Sequence, residues 1–208
     1  VGFLQRNNYE EYNPYFNFSP RPRDHKYIRR LGFTADADLK TGLTNDYVSR
    51  IWNLTVLNID FHSQETISVL VIADQERLDR PFRPSAGITL PVGGDYSFLR
   101  YRVTGGTANR RMVAVTPTVE WGSFYSGTRT QVGGDVTLRA RPGVIVYLSS
   151  EWNRVTLPEG YFETRLYRAT PELQFRQWIS VVNTIQDDSV SRVLGWQSRF
   201  RWILKPGN

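Results

Sequence analysis

The 208-residue chain has no cysteine, one methionine and only two histidines. Without cysteine there can be no disulfide and no thiolate metal site, although this absence fits several compartments and excludes none of them. The two histidines, His25 and His62, are far apart in sequence and offer no metal-ligand spacing or paired general base. Long apolar runs are also missing. The longest, Val69 to Ala73, falls far short of the ~20 residues that a membrane-crossing helix needs. Any membrane role therefore has to use strands. The formal charge is +6, but arginine is scattered through nearly every segment, and clusters such as Arg29-Arg30 and Arg110-Arg111 are short. A nucleic-acid binder would concentrate that charge on one patch, so nucleic acid is not an expected partner.

Aromatic residues, by contrast, are plentiful: six Trp, eleven Tyr and eleven Phe. Together with β-branched residues and glycine they favour strands over helices. The dominant signal is period-two alternation. Leu31, Phe33, Ala35, Ala37 and Leu39 share one face of a segment whose other face reads Arg30, Gly32, Thr34, Asp36 and Asp38. Val132, Val136, Leu138 and Ala140 alternate with Arg129, Asp135, Thr137 and Arg139, and Leu194, Trp196, Phe200, Trp202 and Leu204 alternate with Arg199 and Arg201.

The pattern predicts strands over 27–40, 47–62, 65–76, 95–104, 111–121, 128–141, 143–153, 161–170, 172–186 and 191–204, with a further one within 12–19. Turn chemistry at Gly93-Gly94-Asp95, Ser126-Gly127, Arg141-Pro142-Gly143 and Glu159-Gly160 separates them. Connections this short make sequential strands antiparallel neighbours in an up-and-down meander. The Pro-bearing stretch from Arg77 to Pro91 reads as a long loop. The expected fold is all-β, a transmembrane β-barrel or part of a larger one, with about 10–12 strands in a single region spanning 1–208.

A soluble β-sandwich that binds glycans through exposed Trp and Tyr is the alternative. Three features favour the barrel. Several strands run well beyond the ~5–6 residues common in water-soluble sheets. The non-apolar face is charged, as a wet lumen allows, so Arg129, Asp135, Arg139, Arg199 and Arg201 are expected to face the lumen. Trp121, Trp152, Tyr161 and Trp202 gather near strand ends, where interfacial girdles form.

Catalytic signals are weak. Glu151, Glu159, Glu163 and Glu172 lie in neighbouring segments and could flank a sugar, as two-carboxylate glycosidases require. Arg154, Arg165 and Arg168 lie among them, and ion pairing is the simpler expectation. No Gly-x-Ser-x-Gly elbow is present. Gly93-Gly94 and Gly133-Gly134 lack the strand-to-helix context of a phosphate cradle, and Asp36-Ala37-Asp38 lacks calcium-loop spacing. No cofactor and no enzymatic activity is expected.

Several blocks carry a resemblance. They are Val1 to Arg6, Arg80-Pro81-Phe82, Leu90 to Tyr96, Trp121 to Gly127, Asn153 to Phe162 and Arg199 to Gly207. The more specific are Val-Thr-Leu-Pro-Glu-Gly-Tyr-Phe from Val155 to Phe162 and Arg-Trp-Ile-Leu-Lys-Pro-Gly from Arg201 to Gly207. In these the chain resembles the C-terminal region of an uncharacterised bacterial family of outer-membrane β-barrel proteins. Members of that family carry an N-terminal carbohydrate-binding module of the family-9 type. The resemblance implies a bacterial outer-membrane location and a non-enzymatic pore or anchor that presents such a module. Outer-membrane lipid, further strands of the same polypeptide or a partner chain, and glycans would be its partners. Two departures stand out. Family members continue past the Pro206-Gly207 turn into another strand, so the chain is expected to be a fragment whose terminal strands are either unpaired or joined to further chain. They also tend to carry an aromatic where this chain has Gln186-Asp187-Asp188.

Overall fold

A computed structural model describes residues 9–43, 47–78, 80–85 and 87–203. The first and last blocks of the resemblance fall partly or wholly outside them, as does the terminal turn. The described residues form strands and no helix. Two short strands, β1 (Tyr9–Tyr12) and β2 (Tyr15–Phe18), both pair with β3 (Ile28–Gly42). The meander continues through β4 (Tyr47–Phe61) and β5 (Thr66–Arg77), skips a small hairpin of β6 (Phe82–Ser85) and β7 (Ile88–Leu90), and resumes at β8 (Asp95–Gly106). It then runs through β9 (Val113–Phe124), β10 (Gly127–Arg141), β11 (Val144–Leu157), β12 (Gly160–Arg176), β13 (Ile179–Asp188) and β14 (Val193–Trp202), every pair antiparallel. Among the described residues, β14 has a ladder to β13, and no ladder joins it to β1 or β2.

The hairpin turns follow from local chemistry. Between β10 and β11, Pro142 pre-sets its φ and Gly143 takes φ +79°, a value that L side chains rarely adopt. One expected break does not occur. Thr170-Pro171 was expected to end a strand, yet β12 runs on to Arg176, and the reversal falls at Gln177-Trp178. Pro171 pairs with Val146 of β11, while the β12–β13 ladder skips from Ala169–Ile185 to Glu172–Val182. The missing N–H thus points at the gap and costs no bond that the sheet uses. A second correction concerns Arg77 to Pro91. Instead of a bare loop, this stretch contains the β6–β7 hairpin, closed at its base by bonds from Leu78 N–H to Gly94 O (3.1 Å) and from Gly93 N–H to Leu78 O (2.7 Å).

Ladder partners share a face, so the register sorts every side chain onto one of two surfaces. One surface carries the apolar residues, and it is the exposed one: Trp52, Leu54, Leu99, Tyr101, Val119, Trp121, Val132, Leu148, Ile185, Phe200 and Trp202 all project from it. Trp196 on that surface is 75% exposed. The opposite surface carries Asp60, Asp74, Arg100, Arg102, Glu120 and Arg129, and Glu120 there is only 1% exposed. A water-soluble domain buries its apolar face; this sheet has the opposite polarity.

The apolar surface forms a belt, interrupted on β13 by the polar, outward Asn183. Outward positions are apolar, or small and uncharged, over 113–121 in β9, 132–140 in β10, 144–152 in β11, 167–175 in β12 and 194–202 in β14, nine residues each. Membrane-barrel strands need about 9–11 residues to cross the hydrocarbon. The upper edge of the belt, at Leu99, Trp121, Val132, Trp152, Tyr167, Ile185 and Leu194 from β8 to β14, is not level with the ladders. Between Leu99 and Leu194 it falls six residues over six ladders. With ~3.3 Å per residue and ~4.8 Å between strands, that slope tilts the strands by about 35° from the belt normal, at the low end of the range for closed barrels.

The β6–β7 hairpin folds against the charged surface at one end of the sheet. Leu90 is fully buried there, with Leu78, Ile88, Val155 and Leu157, and with Tyr96, Phe124, Tyr125 and Phe162 packed around them. Because the hairpin leaves the sheet between β5 and β8 yet touches β11 and β12, the sheet curves around it with the charged surface inward.

Candidate functional site

Beneath this apolar plug lies a charge network with Glu120 at its centre. Glu120 stands between outward Val119 and Trp121, so strand alternation alone turns it inward. Its Oε2 accepts from Arg102 Nε at 2.7 Å and Nη2 at 2.5 Å, while Oε1 lies 3.4 Å from Arg100 Nε and 4.0 Å from Arg129 Nη2. Arg100 also faces Asp74 at 3.6 Å. Arg129 donates to Asn153 Oδ1 at 3.1 Å and to Gln131, and Asn153 donates onward to Glu151 (2.7 Å) and Thr164 (3.2 Å). The network therefore spans five adjacent ladders, from β5 to β12. Two of the three guanidinium groups around the buried carboxylate also have a second acceptor or ring. Arg100 stacks 5.2 Å from the Phe98 centroid, and Arg129 lies 5.8 Å from that of Phe124. A second inward node joins Asp60 to Arg30 at 2.7 Å and to Arg29 at 3.6 Å.

A polar recess of about 480 Å³ adjoins the network, lined by Arg102, Thr118, Gln131, Asp135, Ser149, Glu151 and Arg168. Where the plug meets the network, the Tyr125 hydroxyl donates to Glu76 Oε2 at 2.8 Å. Burial, then the bond to that carboxylate, raises the Tyr125 pKa well above the ordinary tyrosine value.

Of the residues expected in a lumen, Arg129 joins the Glu120 network, Asp135 lines the recess, and both share the inward surface. Arg139 sits at the far rim, donating to the Arg111 carbonyl (3.3 Å) and to Asn109 (3.0 Å). Arg199 and Arg201 pair with Val182 and Ser180, opposite the outward Phe200 and Trp202, and are exposed on β14. The four carboxylates weighed for sugar chemistry do not converge. Glu151 points inward and Glu163 outward, Glu159 accepts from Ser126 in a turn, and Glu172 lies toward the other end of β12. His25 and His62, distant in sequence, do meet. His62 Nε2 donates to the His25 carbonyl at 3.1 Å, and His25 Nδ1 accepts from the Tyr27 and Ile28 amides. Among the described residues, no group of three or more His, Asp or Glu is placed to hold a metal.

No family model, curated protein or solved structure matches the chain.

Proposed function

We propose that the chain is the strand-built, membrane-spanning part of a bacterial outer-membrane β-barrel protein, acting as a non-enzymatic pore or anchor. The observation that carries this reading is the inverted polarity of the sheet. Glu120 and Asp60 are buried on one surface while Trp196, Phe200 and Trp202 project from the other. In water that exposed belt would be an aggregation liability; in lipid it is the surface a barrel requires. The nine-residue width on β9, β10, β11, β12 and β14 and the tilt of the belt's edge add support. The sandwich alternative needs a second sheet on the apolar surface. Among the described residues, the only other sheet is the β6–β7 hairpin, and it packs on the charged side. That the barrel presents a family-9-type carbohydrate-binding module rests on the resemblance in sequence blocks.

The test is to refold the full chain in the presence and absence of phospholipid vesicles whose acyl chains carry bromine. Outward Trp121, Trp152, Trp196 and Trp202 should be quenched by the brominated chains, and the protein should aggregate without lipid or detergent. A monomer folded in plain buffer, with unquenched tryptophan, would overturn the proposal.

A further inference from the structure

The outward surface carries an ionic cluster directly above an apolar hollow. Arg154 of β11 pairs across the ladder with Glu163 of β12, and Arg165 pairs with Trp152. Glu163 is saturated: it accepts from Trp152 Nε1 (3.2 Å), Arg154 Nε (3.3 Å), Arg165 Nη2 (3.3 Å) and the Tyr161 hydroxyl. The carboxylate thus holds two guanidinium groups side by side, and Arg154 is further fixed 5.0 Å over the Trp152 ring. Both arginines remain more than half exposed, and with Glu163 they carry one net positive charge. A guanidinium at mid-bilayer would cost roughly 2–4 kcal/mol. These two lie above the edge of the belt on their strands, which Trp152 and Tyr167 mark.

One ladder row lower, the belt is dented. Gly134 and Ser150 have too little side chain to fill it, leaving a hollow of about 340 Å³ between Val136, Leu148, Ala169 and Ile185. Asp187 stands on its rim on β13, beside Tyr167 and diagonal to Arg165. A basic pair at headgroup depth with an acyl-sized groove beneath it is complementary to one kind of occupant.

We infer that this is a binding site for an anionic phospholipid, with its phosphate on Arg154 and Arg165 and an acyl chain in the Gly134–Ala169 hollow. The inference rests on the membrane reading above. The full chain is refolded into vesicles of phosphatidylcholine mixed with phosphatidylglycerol, transferred to detergent, and the retained lipid is counted by native mass spectrometry. Wild type should retain phosphatidylglycerol in preference to phosphatidylcholine. The double variant R154Q/R165Q should lower that preference by about tenfold, as loss of charge-assisted bonds implies. Ala169→Trp, which fills the hollow and leaves both arginines in place, should cut retention of either lipid. Equal retention of the two lipids by wild type, or retention unchanged in both variants, would overturn the site while leaving the membrane reading intact. Failure of wild type to enter any vesicle would overturn the membrane reading itself.

Discussion

Val136 sits at the centre of the belt on β10, four residues from either edge, with outward Val115 and Leu148 beside it. On the proposed membrane reading, replacing it with arginine would set a guanidinium against the lipid midplane, where the cost in membrane barrels is roughly 2–4 kcal/mol. At ~1.4 kcal/mol per tenfold change, the folding equilibrium should fall about 30- to 700-fold. The same residue at the edge, in Val132→Arg, reaches headgroup depth and should cost about 0–1 kcal/mol. Asp135→Arg changes charge by two units one residue away, but on the inward surface, where the side chain is exposed in the polar recess. It should stay within about 1 kcal/mol of wild type. Urea titrations of the full chain refolding into vesicles would measure all three. A cost that peaks at 136 and is small at 132 and 135 is expected. A flat profile, or a larger cost at 135 than at 136, would refute the assignment of faces.

Other expectations concern the inward surface. Glu120→Ala leaves Arg100, Arg102 and Arg129 without their shared anion, and should destabilise by about 3–5 kcal/mol in the same titration; an effect below 1 kcal/mol would mean that the three arginines find other partners. Leu90→Ala removes the fully buried side chain of the plug, a change costing about 2–5 kcal/mol. It should speed hydrogen exchange over 82–90 more than over 132–140. For Tyr125 the folded-state pKa lies above the ordinary 10.0, so its contribution is intact at neutral pH. It is lost as pH rises through and beyond that value. Near-ultraviolet circular dichroism should therefore show the plug loosening in alkali, and Tyr125→Phe should move that transition.

The strands and their faces were legible because they depend only on alternation along one segment. Leu194, Trp196 and Phe200 against Arg199 and Arg201 can be read with no knowledge of neighbours. What crosses between strands could not be read in this way. Glu120 gave one local sign, an acid between Val119 and Trp121, but the register that brings Arg100, Arg102 and Arg129 to it belongs to two ladders. Pro171 misled for a related reason, since its effect depends on which neighbour the missing N–H would have faced. Pro81, Pro84 and Pro91 made the stretch after β5 read as loop. The small hairpin there gains its stability from burying Ile88 and Leu90 against Val155 and Leu157, about seventy residues away.

The nine-residue window on β9, β10, β11, β12 and β14 also sets a length. Eight steps of ~3.3 Å, inclined at about 35°, give a hydrophobic thickness of roughly 22 Å. A typical bilayer core is nearer ~30 Å, and the bacterial outer membrane is thinner than average. In a thick bilayer the strands would have to stand more upright, or the surrounding lipid would have to compress, at a fraction of a kcal/mol for each ångström of mismatch. A barrel with this belt would be most stable in short-chain lipid, and acyl-chain length would act on its folding equilibrium without touching a single side chain.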